Sequence, residues 1–543
     1  MPGCTAAHND ATGVGQAGRD ARRRPGVDKT TTTSPRAATI ARARRSGWST
    51  LAALAILATA ACGGGSSGAG GDGASDELRV AHPFPIAGLD LVGPLSGDRA
   101  VLTINQNLFD SLTRKDPVSG EIVPWLAESW ETTDGTSWTF TLRDDVVFHD
   151  GTPLTATDVQ ATIMTLIERK TPLAPIFAGV TSVEAPDDTT VVINADRPLG
   201  TLPSNVSLLG IAPADQVGSD DFNQRPIGSG VFEFESFEGG AELVLAANED
   251  HWNGPPAAER LVFEQIPEAS NRVVALETGE IDLTWGIPVD QVARLESADG
   301  VTVETVPAYV NYEILANWNR PPLDNLKVRQ ALAHAIDVEP IVENVLGGLG
   351  APSSGPLPTT VFGSVELDPF EHDPDLARRL LDEAGVSDLT IKVLVRDQEV
   401  EQQVALAMIS DWAEIGVTVE PDFQELATWT ENYVNQNFDL SLTGRPTLTG
   451  DADYTLGRLY LSESDRVPCA NAELDEPIVR GGSETDPEAR QAAYDEALSY
   501  LWDNVCGIYP IDGLEAFAWN DALAGFEPPP STIPFFADVR IEE

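Results

Sequence analysis

The chain has 543 residues, with 34 Lys and Arg against 85 Asp and Glu, and a formal net charge of −51. So acidic a surface repels nucleic acid and anionic lipid faces, and no basic patch argues for either. The length predicts two or three domains, and a hydrophobic content of 42% is that of a globular protein.

Residues 1–40 read as an unstructured leader. Arg42, Arg44 and Arg45 then precede an uncharged apolar run at 48–61. Its 14 residues are too few to span a bilayer, which takes ~20. A basic stretch, a short apolar run and the small residues Thr59, Ala60 and Ala61 make an export signal. The Arg44-Arg45 pair leaves the twin-arginine route open beside the general one. Cys62 follows at once, and residues 63–75 are rich in Gly, Ser and Ala, a flexible tether. The segment resembles a bacterial lipobox, which implies lipid attachment at Cys62; an ordinary signal peptide or an uncleaved anchor is the alternative. Cleavage before Cys62 leaves 482 residues with 25 basic and 82 acidic side chains.

Beyond the tether, apolar strands alternate with amphipathic helices, an α/β pattern. Residues 77–84 read as a first strand. Residues 137–151 read as two strands ended by Asp150-Gly151. Thr155 and Asp158 have capping-box spacing ahead of a helix with Val159, Ile163, Leu166 and Ile167 on one face. Asp324 is expected to cap a helix carrying Val328, Leu332 and Ile336. Pro340 and Gly347 bound the next, and Asp373, Pro374 and Gly385 bound another. A turn at Gly416 leads into a strand.

Chemistry is sparse. A G-x-S-x-G match at 64–68 lies in the tether, where no strand–turn–helix exposes a nucleophile. No HExxH helix, Walker loop or dinucleotide fingerprint occurs. Asp451 and Asp453 begin like a calcium loop, but Leu456 and Ser462 stand where Gly and Glu are needed. His82, His149, His251, His334 and His372 are scattered. No catalytic residue, metal site or cofactor is expected. Cys469 and Cys506 form an even pair in an exported chain and are expected to bond, closing a loop worth ~4 kcal/mol; two buried thiols are the alternative.

Several stretches together resemble one family. They are "GEIVPWLAESWE", "WTFTLR", "FHDGTPLTATDV", "PIGSGVFEFESF", "NEDHWNG", "ALETGEIDL", "NRPPLDNLKVRQALAHAID" and "DPDLARRLLDEAGV". They resemble, in order, the family 5 extracellular solute-binding proteins, the peptide/nickel-binding group of ABC importers. The resemblance covers most of 77–543. It implies a two-lobed type II periplasmic-binding-protein fold with an additional domain. Domain I would be discontinuous, at 77–115, 208–310 and 512–543. Domain II would hold 116–207 and domain III 311–511, after a leader and signal at 1–61 and a lipidated tether at 62–76. Two lobes closing about a hinge would hold the ligand. Trp125, Trp130, Trp138, Phe140 and Phe148 read as core.

The resemblance also nominates a site. In peptide-binding members an aspartate after a strand holds the ligand's ammonium group. Asp451 is the nearest equivalent here and Asp453 the second. Arg445 replaces the family's tryptophan and offers a fork for a carboxylate, or an internal ion pair with Asp451. Trp285 and Trp429 are candidates to reach the cleft from domains I and III, with core packing as the alternative. The implied function is a non-enzymatic lipoprotein, a monomer on the outer face of the membrane. It would deliver a small solute, foremost an oligopeptide, to ABC permease subunits. A sugar, opine or metal chelate as ligand, a sensing or adhesion role, and an exported hydrolase are the competing readings.

Overall fold

The computed structural model describes residues 77–542 apart from 118 and 220. The chain divides into two units, Met1–Gly71 and Asp72–Glu543. The leader, signal and Cys62 lie outside the described residues.

The second unit is organised by an eleven-stranded sheet among the described residues. At one end Thr390–Arg396 runs parallel to both neighbours, Thr418–Gln424 and Leu440–Pro446. At the other, Glu77–Ala81 runs parallel to Arg260–Glu264 and Leu283–Trp285. Two long antiparallel strands, Val301–Ala316 and Gly507–Asn520, connect the two parallel groups. They pair from Val301 with Asn520 to Leu315 with Gly507, and their register breaks between Pro307 and Asn311. Pro307 has no N–H to give the ladder, and a second register shift falls between Tyr312 and Ile314.

A separate four-stranded antiparallel sheet holds Ala127–Thr132, Ser137–Leu142, Thr190–Ala195 and Val180–Glu184. Helix Ala156–Arg169 packs on it. Trp138, Phe140 and Phe148 are buried in one cluster with Leu78, Val80 and Phe263 of the first parallel group, and Trp125 and Trp130 pack against it half-buried. The aromatic signature therefore supports the first half of the molecule. The second half has its own clusters, one around Val393, Trp412 and Leu440 and one around Leu456, Tyr494 and Leu498. Cys469 and Cys506 sit in the latter as a disulfide, with Cα atoms 5.7 Å apart.

Local signals explain most elements. Thr155 and Asp158 form the reciprocal capping box, and Val159, Ile163 and Leu166 are buried. Asp373 caps Pro374–Ala384, which Gly385 ends at φ 70. Two expectations are corrected. Asn325, not Asp324, caps Leu326–His334, its side chain accepting from Lys327 N, because the chain turns helical one residue later. The second strand expected before Gly151 does not form. Arg143 and Asp145 pair across a turn, and Val147 makes a single bridge to Pro153.

Candidate functional site

In open α/β sheets, ligands meet the carboxyl ends of parallel strands. Here those ends belong to both groups. The chain leaving Glu77–Ala81 provides His82 and Phe84, and that leaving Leu283–Trp285 provides Gly286. Arg396 ends Thr390–Arg396, and Arg445 lies near the end of Leu440–Pro446. The long strands supply Tyr312 and Glu515 between them.

Arg99 opens helix Arg99–Leu108 behind its cap Asp98, whose Oδ1 accepts from Ala100 N at 2.9 Å. A cation there opposes the helix dipole, so helix stability does not explain it. The side chain is half-buried. Its Nη1 donates to Thr532 Oγ1 at 3.3 Å, and its Cζ lies 5.3 Å from the Phe84 ring centre. Among the described residues it makes no ion pair. Burial pulls its pKa down, Glu515 resists, and Arg396 adds repulsion. Glu515 accepts from Gly286 N at 2.9 Å; burial pushes its carboxyl up, against Arg99 and Arg272.

Across the cleft Arg396 is pinned. Its Nε donates to Glu401 Oε2 at 2.9 Å, its Nη2 to Glu401 Oε1, and the same Nη2 to Gly444 O at 3.1 Å. Glu401 also accepts from Gly444 N at 2.8 Å. Tyr312, half-buried, stands in the field of Glu401, Glu515 and Arg396, and burial raises its phenol well above the ordinary value. Arg396 is paired with Glu401 and Arg445 with Glu313, while Arg99 and Arg272 both lie in the field of Glu515, with Asp98 also acting on Arg99 and Glu268 on Arg272.

A cavity of ≈550 Å³ runs beside the Arg99–Leu108 helix. That is the size of a small-ligand site, ~300–1,000 Å³. Asn105, Arg114, Trp125 and Phe535 line it from the first half, Tyr309 from the connecting strand Val301–Ala316, and Thr449 from the second half. Contacts between the halves include those of Lys115 and Gly200. Lys115 Nζ donates to Thr449 O at 3.1 Å and Gly450 O at 2.8 Å, and Gly200 N donates to Gly482 O at 2.8 Å.

The residues nominated from sequence are placed as follows. Trp285 is 1% exposed, edge-on to His82 at 4.7 Å and stacked on Phe517. Trp429, 8% exposed, stacks on Tyr433 at 4.9 Å, under Arg396 at 5.7 Å. Its Nε1 has no hydrogen-bond partner. Arg445 pairs with Glu313 and donates to Tyr433 Oη at 3.0 Å. Cross-strand register decides that partner: Arg445 stands opposite Asn311, a diagonal neighbour of Glu313. The alternative Arg445–Asp451 pair is not formed. Both Asp451 oxygens accept from Arg490 Nη2, at 2.8 and 2.9 Å, while Asp451 caps Ala452–Thr455. Burial, reinforced by Asp451, pushes the Asp453 carboxyl up to about 6. Among the described residues no group of three His, Cys, Asp or Glu is placed to hold a metal ion.

Arg99, Arg396, Glu515 and Tyr312 were not legible as a site. The available signals were a cation at a helix start and an arginine closing a strand.

Residues 121–466 match the family described as bacterial extracellular solute-binding proteins, family 5 Middle. The chain belongs to this family. Among its relatives, the heme-binding protein A of Haemophilus influenzae is 28% identical over 434 residues, 72% of this chain and 79% of that protein. The glutathione-binding protein GsiB of Pectobacterium atrosepticum is 26% identical, covering 78% and 86%. The solved structure of HbpA2 from Haemophilus parasuis superposes with a TM-score of 0.77 at 25% identity, over 86% of this chain and all of that one. A dipeptide-binding protein from Pseudoalteromonas, solved with Met-Leu, gives 0.73 at 25%, over 86% of this chain and 100% of that one. This family 5 chain is thus a substrate-binding protein of the ABC-transporter type, with the two-lobed fold of its structural neighbours.

Proposed function

We propose that this protein captures a small anionic or zwitterionic solute, foremost an oligopeptide, between its two parallel-strand groups. It closes about the Pro307–Asn311 break and presents the solute to an ABC permease. The observation that carries the reading is Arg99: a half-buried guanidinium with no ion pair among the described residues, in the field of Arg396, at the start of the helix whose Leu102, Asn105 and Gln106 line a ≈550 Å³ cavity. A desolvated cation demands an anion. The glutathione- and dipeptide-binding relatives support a peptide-like ligand. The division into domains I, II and III, a monomeric state and a non-enzymatic role belong to the same reading, as does anchoring of the exported chain through lipid on Cys62.

Calorimetry of the mature chain against peptide, sugar, opine and metal-chelate libraries tests the ligand class. A peptide or other carboxylate binder is expected, with affinity reduced at least ~10-fold in Arg99→Gln. Binding confined to uncharged sugars would refute the anionic reading. Membrane fractionation of Cys62→Ser, expected to release protein or leave precursor, tests the anchor.

A further inference from the structure

The cavity is lined by a cation that the fold leaves unused. Arg114, in strand Thr113–Lys115, places its Cζ 3.2 Å from the ring centre of Phe535 and 4.6 Å from that of Trp125. Among the described residues its guanidinium makes no hydrogen bond and no ion pair, although it carries five N–H donors. The nearby carboxylate of Asp110 is already taken. Its Oδ1 accepts from Trp125 Nε1 at 2.6 Å and lies 3.4 Å from His251 Nε2; its Oδ2 accepts from Ser229 Oγ at 2.9 Å and Trp252 Nε1 at 3.3 Å. Asp538, exposed at the rim, acts on Arg114 through space without pairing. Other buried arginines differ: Arg329 and Arg272 spend their donors on backbone carbonyls.

Asn105 is the independent observation. It lines the same cavity and is 4% exposed, yet its Oδ1 has no hydrogen-bond partner. Two residues on, Asn107 shows what a structural asparagine does here. Its Nδ2 donates to Thr103 O and Pro534 O, and its Oδ1 accepts from Phe536 N. An orphaned buried amide costs about 1–3 kcal/mol. A cavity that keeps both an unpaired amide and an unpaired guanidinium is suited to a solute that satisfies them together.

We propose that Arg114 and Asn105 are the specificity pair of this cavity, Arg114 gripping a solute carboxylate through its planar fork and Asn105 pairing with a neighbouring amide of the same solute. The inference rests on the reading that this cavity holds the transported solute, and narrows it to carboxylate-terminated peptides or N-acyl amino acids. The aromatic walls fix the plane of the guanidinium, which favours a bidentate grip over a point charge.

The test is calorimetry of the mature chain with trialanine, N-acetyl-trialanine and trialanine amide. The wild type is expected to bind both free acids at least ~10-fold tighter than the amide. Arg114→Gln should remove that preference, and Arg114→Lys, which keeps the charge but not the fork, should weaken the acids ~10-fold. Asn105→Leu should weaken acid and amide alike. Unchanged acid preference in folded Arg114→Gln and Arg114→Lys would overturn the pair and leave solute binding intact. A wild type that ignores all three peptides yet binds another library member would also overturn the pair. Failure to bind any member would sink the solute reading itself.

Discussion

At the scale of single residues, Asp451, nominated from sequence, has a buried structural partner. Asp451 neutralises Arg490, which is itself buried. Removing one member of a buried pair strands the other, at a cost of about 3–5 kcal/mol. Asp451→Asn is therefore expected to destabilise the protein by about 3 kcal/mol in urea unfolding, while free-amine and N-acetylated peptides lose affinity equally. A loss confined to free-amine peptides would restore Asp451 as the ammonium holder. His82 makes a second prediction. It is 4% exposed, its Nδ1 lies 3.0 Å from Phe84 O, and its Nε2 lies 3.3 Å from Thr103 Oγ1. Burial pulls its pKa down to about 3. The unfolded chain, with a histidine pKa of ~6.5, takes up a proton in acid that the folded chain refuses. This contribution is complete above ~6.5 and is lost as pH falls toward about 3, at ~1.4 kcal/mol per unit. Between pH 7 and 5, His82→Gln should lose ~2 kcal/mol less stability than wild type in paired urea titrations. Parallel losses would mean that His82 does not titrate this way.

At the scale of elements, the short strand Thr113–Lys115 is a latch between the halves. Lys115 Nζ holds the Thr449 and Gly450 carbonyls and lies 5.0 Å from the Tyr309 ring centre. Burial pulls its amine down to about 8, with Asp451 working against that and Arg490 with it. Hydrogen bonds from a charged donor contribute roughly 1.5–3 kcal/mol each, enough to bias an opening about the Pro307–Asn311 break. Lys115→Met should raise the ligand-free radius of gyration in X-ray scattering, and saturating ligand should restore it. A ligand-free radius equal to wild type would show that other contacts, such as Gly200 with Gly482, hold the halves.

At the scale of the molecule, the sequence by itself determined what depends on neighbours along the chain. Capping signals at Thr155 and Asp373 need only a few residues, and so does the stop at Gly385. The alternation of strands and helices set the α/β class, and the ordered motifs set the family. Trp138, Phe140 and Phe148 were legible as core because their strand and loop pattern is apolar on one face. Where a neighbour offered an equal choice, as between Asp324 and Asn325, sequence missed by one residue. Only the tertiary structure decided which charges pair. Register across Val301–Ala316 and Leu440–Pro446 gave Arg445 to Glu313, and the return of helix Pro487–Asp503 gave Arg490 to Asp451. The same folding brought Arg99, from the start of the described chain, into the field of Arg396, nearly 300 residues on. Ion pairing depends on distance in space, which one-dimensional spacing does not encode. The cations left unpaired could be identified only once the partners of the buried carboxylates were known.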